Sequence, residues 1–386
     1  MTSHRWHQLV LGVITVVITC TCATTLASAG NLFTGPINSP AGRYPWALAA
    51  GDFDGDGNID LAVTNNDNSD TPRPVKILLG QGDGLFQDAV GYKVGAEPLA
   101  VAVGDFNRDG NADLVVANHS RPNHPGKIRV LLGNGDGTFQ KQTTYKAGNN
   151  PIDIAMADFN GDGKLDLAVI RISPSQTMAI LLGNGDGTFQ PQMKIPGLAI
   201  PHRIVVGDLN GDGIPDLVIS GGNNKKSVIS LLGNGDGTFR IVWTLKGPRS
   251  STIGLGDFNG DGKLDLAQAV GPPDSRSALK IWSGNGDGTF QAGSEYPVSG
   301  GLGALTVSDF DGDGNLDVAA VSSQGVSVFL GLGNGKFQQP QGYALSPAAG
   351  PAGMITADVN GDLKPDLVVT DWDNHVVSVL LNTGKR

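Results

Sequence analysis

Gly51-Asp52-Phe53-Asp54-Gly55-Asp56-Gly57-Asn58-Ile59-Asp60-Leu61-Ala62-Val63 is the stretch that decides the fold, because it recurs six more times. The further copies start at Gly104, Ala157, Gly207, Gly256, Ser308 and Ala357, at intervals of 49 to 53 residues. Self-similarity at a fixed period of this length marks a repeat architecture. Each repeat reads alike. A short apolar segment precedes the aspartate loop, as Leu99 to Val103 do in the second copy. A second apolar run follows (Asp113 to Ala117), then a variable polar loop. A third run ends in Leu131-Leu132-Gly133, and the turn Asn134 to Gly137 leads into Thr138-Phe139-Gln140. Alternating apolar residues, β-branched side chains and Gly/Asn/Asp turns predict four short strands per repeat and no helix.

A four-stranded unit cannot bury both faces alone, so the copies must stack. The expected fold is all-β: a seven-bladed β-propeller of four-stranded antiparallel blades. The last repeat stops at Leu380-Leu381-Asn382-Thr383-Gly384, before its fourth strand. At the other end, Asn31-Leu32-Phe33-Thr34 precedes the first loop, with Phe33 in the place of Phe139. The ring is therefore expected to close by pairing residues 31 to about 38 with residues 376 to 381. An open solenoid would instead carry polar caps at both ends.

The loop reads D-x-[DN]-x-D-G-x-x-D, with side-chain oxygens at positions 1, 3, 5 and 9 and a main-chain carbonyl at position 7. In the first copy these are Asp52, Asp54, Asp56, Asn58 and Asp60. The second has Asp105, Asn107, Asp109, Asn111 and Asp113; the third Asp158, Asn160, Asp162, Lys164 and Asp166. The fourth has Asp208, Asn210, Asp212, Ile214 and Asp216; the fifth Asp257, Asn259, Asp261, Lys263 and Asp265. The sixth has Asp309, Asp311, Asp313, Asn315 and Asp317; the seventh Asp358, Asn360, Asp362, Lys364 and Asp366. Oxygens converging from a tight loop suit calcium, which takes about six to eight hard oxygen ligands. Up to seven calcium ions, structural rather than catalytic, are expected. The pattern departs from an EF-hand, which places Glu at position 12, where these loops carry Val63, Val116 or Val169. Arg108 at position 4 of the second copy and Leu363 at position 6 of the seventh break the glycine pattern. Unoccupied Asx turns would be the plain structural alternative.

The acids fit this use. Of 37 acidic residues only Glu97 and Glu295 are Glu. Near-exclusive Asp points to short carboxylates needed for loop geometry.

These loops resemble the FG-GAP and VCBS repeats, over all seven copies and nearly the whole chain after residue 29. That family includes the propeller of integrin α subunits, and the fold resembles propeller lectins and the propeller scaffolds of some polysaccharide lyases. The resemblance implies calcium between the first and second strands of blades, and ligand binding on the opposite face. It places the fold better than the ligand.

Residues 1–29 read as a secretory signal. A basic start (Arg5) precedes an apolar run, Leu9 to Ile18, too short for a span of about 20 residues. Ala27-Ser28-Ala29 offers the cleavage site. The other reading is a lipoprotein signal with Cys20 as the modified residue. The single domain is then 30–386, in a protein secreted to an extracellular or periplasmic space. Both cysteines, Cys20 and Cys22, lie in the signal, so no disulfide is available to the domain. No membrane span, no nucleic acid and a monomer are expected.

Strand alternation puts the aspartate loops and the G-D-G turns on one rim. The opposite rim carries Arg43, Tyr44, Trp46, His119, Arg121, His124, Arg171, His202, Arg203, Lys225, Lys226, Arg249, Arg276, Trp372 and His375, tempered by Asp67, Asp70, Asp274 and Asp371. Variable loops on a rigid scaffold collect binding residues. Trp46, Arg203 and Trp372 are the ligand candidates, for an extracellular carbohydrate, an anionic ligand or a protein. No catalytic constellation stands out. There is no G-x-S-x-G nucleophile motif and no cysteine nucleophile after residue 29. A non-enzymatic binding or adhesion module is expected. The alternative is a polysaccharide lyase-like enzyme using His202 with Arg203 or His119 with Arg121, for which a histidine bonded to a carboxylate in a pocket would be the sign.

Overall fold

The computed structural model describes residues 31–66, 73–119, 126–146, 148, 150–172, 178–196, 200–223, 226–247, 250–271, 277–298, 300–346 and 350–384. The expected signal segment, with Cys20, Cys22 and Ala29, lies outside them. So do Asp67, Asp70, Arg121, His124, Lys225, Arg249, Asp274 and Arg276.

Seven antiparallel sheets of four strands form a ring, as the repeat predicts. In blade one the strands are Pro45–Gly51, Asp60–Asn65, Pro74–Leu78 and Val90–Lys93, from the channel outward. Consecutive first strands pack on each other all the way round, the first strand of blade seven closing on that of blade one. Every described side chain of Asp60–Asn65, and of the matching second strand in five other blades, is buried. This is why those stretches read as unbroken apolar runs: both faces meet a neighbouring blade. The core therefore lies between blades. Leu48, Leu61 and Val63 of blade one, for example, pack against Val359, Val368 and Val377 of blade seven.

The same joint repeats around the loop rim. The residue after the first aspartate is aromatic in five copies, and its ring meets the turn phenylalanine of the next blade edge to face. Phe53 meets Phe139 at 5.5 Å, Phe106 meets Phe189 at 5.8 Å, and Phe258 meets Phe337 at 5.4 Å. A backbone hydrogen bond runs alongside: Gly137 N donates to Phe53 O at 2.8 Å, and Gly187 N to Phe106 O at 2.9 Å.

Blade seven is completed by the chain's beginning. Strand Ile37–Pro40 pairs with Val376–Leu380, Ile37 opposite Val379 and Pro40 opposite Val376. Phe33 bridges Asn382, and its ring meets Phe310 at 5.6 Å, so it takes the turn-phenylalanine position as expected. Blade seven has no glycine turn to bond to blade six. Asn382 replaces it with its side chain, Nδ2 donating to Phe310 O at 2.7 Å while its backbone N donates to Asp366 Oδ1 at 2.7 Å. No helix among the described residues is long and apolar enough to cross a membrane.

Candidate metal loops and ligand cavity

The ninth aspartate of each loop is a staple. Asp60 is fully buried; its Oδ2 accepts Phe53 N and its Oδ1 accepts Gly80 N, both at 2.7 Å. Asp113, Asp166, Asp216, Asp265, Asp317 and Asp366 repeat this bridge between the loop and the end of the third strand. Burial pushes these carboxyls up, to about 6 for Asp60 and Asp366 and about 7 for Asp317. The first and third residues of the loop add repulsion, Asp54 and Asp52 acting on Asp60. Without a cation nearby the ionised form is disfavoured.

The first aspartate shapes the loop. Asp52 accepts Gly55 N through Oδ1 at 2.7 Å and Gly57 N through Oδ2 at 3.0 Å. Both glycines hold left-handed φ, +74° and +86°. Arg108 and Leu363 stand where other copies have such glycines and adopt φ of 63° and 64°. A left-handed backbone costs a side-chain-bearing residue about 1–2 kcal/mol. Leu363→Gly is therefore expected to raise stability by about 1 kcal/mol. A denaturant midpoint at or below that of the parent would overturn the strain assignment.

Two loops bring three carboxylates together: Asp52, Asp54 and Asp60, and Asp309, Asp311 and Asp317, with oxygens within 4.8 Å of one another. These two copies carry Asp at position 3. The other five carry Asn107, Asn160, Asn210, Asn259 and Asn360 there, and a neutral amide oxygen takes the place of the third carboxylate. The position-5 aspartates turn toward position 7. Asp56 accepts Asn58 N at 2.8 Å and Asn58 Nδ2 at 2.9 Å, and that backbone bond is the main reason its carboxyl sits low. Lys164 and Lys364 pair with Asp162 and Asp362 at 3.1 and 2.9 Å. The donors on offer are all oxygen, which fits a hard cation and not a soft one.

The opposite rim holds a cavity of about 540 Å³, lined by Trp46, Arg203, Gly303, Gly350, Ala352, Trp372 and Asp373. It brings the three ligand candidates together from blades one, four and seven. The Trp46 and Trp372 rings meet edge to face at 5.2 Å, and Tyr44 adds a third ring 5.9 Å from Trp372. Thr370 Oγ1 donates to Trp46 O at 2.9 Å, tying the two blades under the ring pair. Below lies the central channel of about 350 Å³, walled by first-strand residues such as Leu48, Val101, Ile253 and Met354. Arg203 approaches Asp153 there at 3.9 Å, and Asp153 Oδ2 accepts Ile204 N at 3.1 Å. Burial raises the Asp153 carboxyl, against the pull of Arg203.

Gly303, Gly350, Ala352, Asp373 and Asp153 were not singled out from the sequence. A signal for some of them exists at the second residue of the first strand: Trp46, Leu99, Ile152 and His202 in blades one to four, then Ser251, Gly303 and Ala352. Of these, Trp46, Gly303 and Ala352 line the cavity. His119 does bond a carboxylate, with Nδ1 3.1 Å from Glu97 Oε2, but neither residue lines the cavity or the channel. His375 Nδ1 lies 2.9 Å from Trp372 O and positions that loop.

Comparison with known proteins agrees with this architecture. The chain is similar to a lectin of Agrocybe aegerita that recognises non-reducing terminal N-acetylglucosamine, at 23% identity and a TM-score of 0.54, covering 78% of this chain and 81% of the lectin. It is also similar to Saccharomyces cerevisiae Sqt1, at 11% identity and a TM-score of 0.54, covering 90% of this chain and 98% of that one. At such identities the likeness is one of fold. No curated protein matches by sequence. The FG-GAP-like repeat matches in six windows, 52–116, 105–169, 158–219, 208–268, 257–308 and 309–369, each starting at the first aspartate of a loop. Seven blades built on that loop, over most of the length, make this chain a member of the FG-GAP-like repeat family.

Proposed function

We propose that this protein is an exported, calcium-loaded binding module that takes a carbohydrate at the mouth of its channel, on the rim opposite the aspartate loops. The observation that carries this reading is the cavity where Trp46, Trp372 and Arg203 converge. Tryptophan offers a flat apolar face for a sugar ring, and an arginine fork binds hydroxyl, carboxylate or sulfate oxygens. Pockets with an apolar lining and a few convergent polar groups are the default binding sites of folded proteins. That a propeller of similar fold is a sugar-recognising lectin supports the class of ligand.

Calcium is assigned to the other rim. Asp52, Asp54 and Asp60, and Asp309, Asp311 and Asp317, would hold it first, and the five Asn-containing loops would follow with one charge fewer. It would supply charge neutralisation and rigidity, holding the ring from which the ligand cavity is built. Export is inferred from residues 1–29 as read above.

Binding is favoured over catalysis by the separation of the chemical groups. The lyase reading needs a base beside a charge-stabilising cation. Of His202 and Arg203 only Arg203 lines the cavity; His119 is engaged by Glu97 away from it, and its candidate partner Arg121 lies outside the described residues.

The test is a glycan array followed by calorimetry on the best ligand. Trp46→Ala, Trp372→Ala and Arg203→Ala are each expected to weaken that ligand at least about tenfold, as loss of a central aromatic or arginine contact does. Unchanged affinity in all three removes the ligand from this cavity.

A further inference from the structure

The cavity at the mouth and the channel below it share one charged side chain, Arg203. Few other ionisable groups stand near it. The cavity wall adds Asp373 and the channel wall adds Asp153. Together the two walls carry one base and two acids, so the site is not a basic one. Asp153 sits in an apolar setting: apart from Arg203 and Thr252, the rest of the channel wall is apolar side chains and glycine. Asp153 belongs to the first strand of blade three and Arg203 to that of blade four. One carboxylate oxygen, Oδ2, accepts Ile204 N at 3.1 Å, while Oδ1 stands 3.9 Å from the Arg203 guanidinium. That second distance is too long for a hydrogen bond. Asp373 is at the other side of the mouth, with its carboxylate against Gly350, where an added methyl group would come within 2.4 Å of Oδ2.

What these groups need separates three kinds of ligand end. An ionised carboxylate accepts hydrogen bonds and donates none, and a guanidinium donates and accepts none. An acidic sugar would satisfy Arg203. It would also bring a further negative charge toward Asp153 and Asp373, beside walls that offer little to solvate it. An ammonium group would satisfy the acids and oppose Arg203. Neighbouring hydroxyls serve both, because each donates one bond and accepts others. With 3.9 Å between them, Asp153 and Arg203 can each bond a different hydroxyl of one ring. A buried carboxylate with a single close donor gains from a ligand that brings another. The tryptophan pair at the mouth then offers an uncharged face to the apolar side of the sugar.

We infer, resting on the carbohydrate reading above, that the site selects an uncharged sugar: Asp153 and Arg203 read adjacent hydroxyls at its inner end, and Asp373 turns acidic glycans away. The test compares neutral glycans with the same glycans carrying a uronic acid or a sulfate, on the array and then by calorimetry in millimolar calcium. The tightest ligand is expected to be neutral, with an affinity that stays level as salt rises. An anionic ligand held by Arg203 would instead weaken with salt. Asp153→Asn keeps an oxygen for Ile204 N and removes the charge, and it should weaken the neutral ligand about tenfold, as loss of a charged hydrogen-bond acceptor does. Asp373→Asn should raise binding of the acidic forms severalfold. A melt of each variant shows whether the ring is folded, and Asp373, in the loop after the second strand of blade seven, tests the charge argument even where Asp153→Asn unfolds. A tightest ligand that is acidic and salt-sensitive overturns the inference and leaves the cavity reading in place. So do acidic forms that bind no better to Asp373→Asn, and a neutral ligand indifferent to Asp153→Asn in a folded ring, which would make Asp153 and Arg203 a pair that only braces the channel. An array that yields no glycan, or one indifferent to Trp46→Ala and Trp372→Ala, overturns the carbohydrate reading itself and this selectivity with it.

Discussion

Moving the protein from millimolar calcium into excess chelator is expected to lower its melting temperature, by an amount that counts the sites. At a dissociation constant near 0.1 mM, one site in about 1 mM calcium contributes about 1.4 kcal/mol. A ring formed by residues 30–386 loses about 1.3 °C per kcal/mol, from an unfolding entropy of about 2.1 cal/mol/K per residue. Filling only the two carboxylate triads, around Asp54 and Asp311, predicts a fall of about 4 °C. Filling all seven loops predicts about 13 °C, equivalent to about 10 kcal/mol, which rivals the whole stability of an ordinary domain. The physical source is the buried ninth aspartate, held at Asp60 by two backbone amides, whose ionised form is disfavoured without a cation. Elemental analysis on the same sample should find between two and seven calcium ions. A fall of a degree or two, with no metal in the sample, would sink the assignment.

Deleting residues 31–40 is expected to abolish the cooperative melt. The deletion removes the fourth strand of blade seven and leaves Val376–Leu380 as an open edge, a template for aggregation. It also takes away Leu32 and Phe33, which are buried in the core between blades six and seven. Phe33→Ala alone is expected to cost about 3–5 kcal/mol, as large-to-small changes in a core do, or about 4–7 °C. Adding the missing segment back as a peptide should restore the melt in part. A truncated protein that melts cooperatively, within a few degrees of the parent, would show that the first strand is not needed to close the ring.

The ring was legible because its determinants are local and repeated seven times. Position 9 is always Asp, since only a short carboxylate reaches both the loop amide and the third-strand amide. The closing strand was legible through Phe33, which keeps its motif position although the blade it completes lies at the other end of the chain. The candidate cavity was legible in part. Trp46, Arg203 and Trp372 stood out as large basic or aromatic residues in variable segments. What makes a cavity between them is the smallness of Gly303, Gly350 and Ala352, and small residues leave no chemical mark in a glycine-rich sequence. The partnership of Asp153 with Arg203 was hidden for another reason: it joins two blades across their first strands, where no motif spacing applies.

The strand that closes the ring is made first and paired last. Its partner Ser378 lies 340 residues downstream of Asn38, to which Ser378 Oγ donates at 2.7 Å. At about 5–20 residues per second, synthesis leaves Ile37–Pro40 waiting for roughly 20 to 70 s. A waiting strand with a continuous apolar face would pair with whatever edge came by. This one is four residues long, reads Ile-Asn-Ser-Pro, and ends on a residue with no N–H to offer. Only Ser39 of the four is buried in the finished ring. The segment is thus a poor partner for a stray edge, and the apolar anchoring is left to Leu32 and Phe33, whose pocket exists only once blades six and seven have formed.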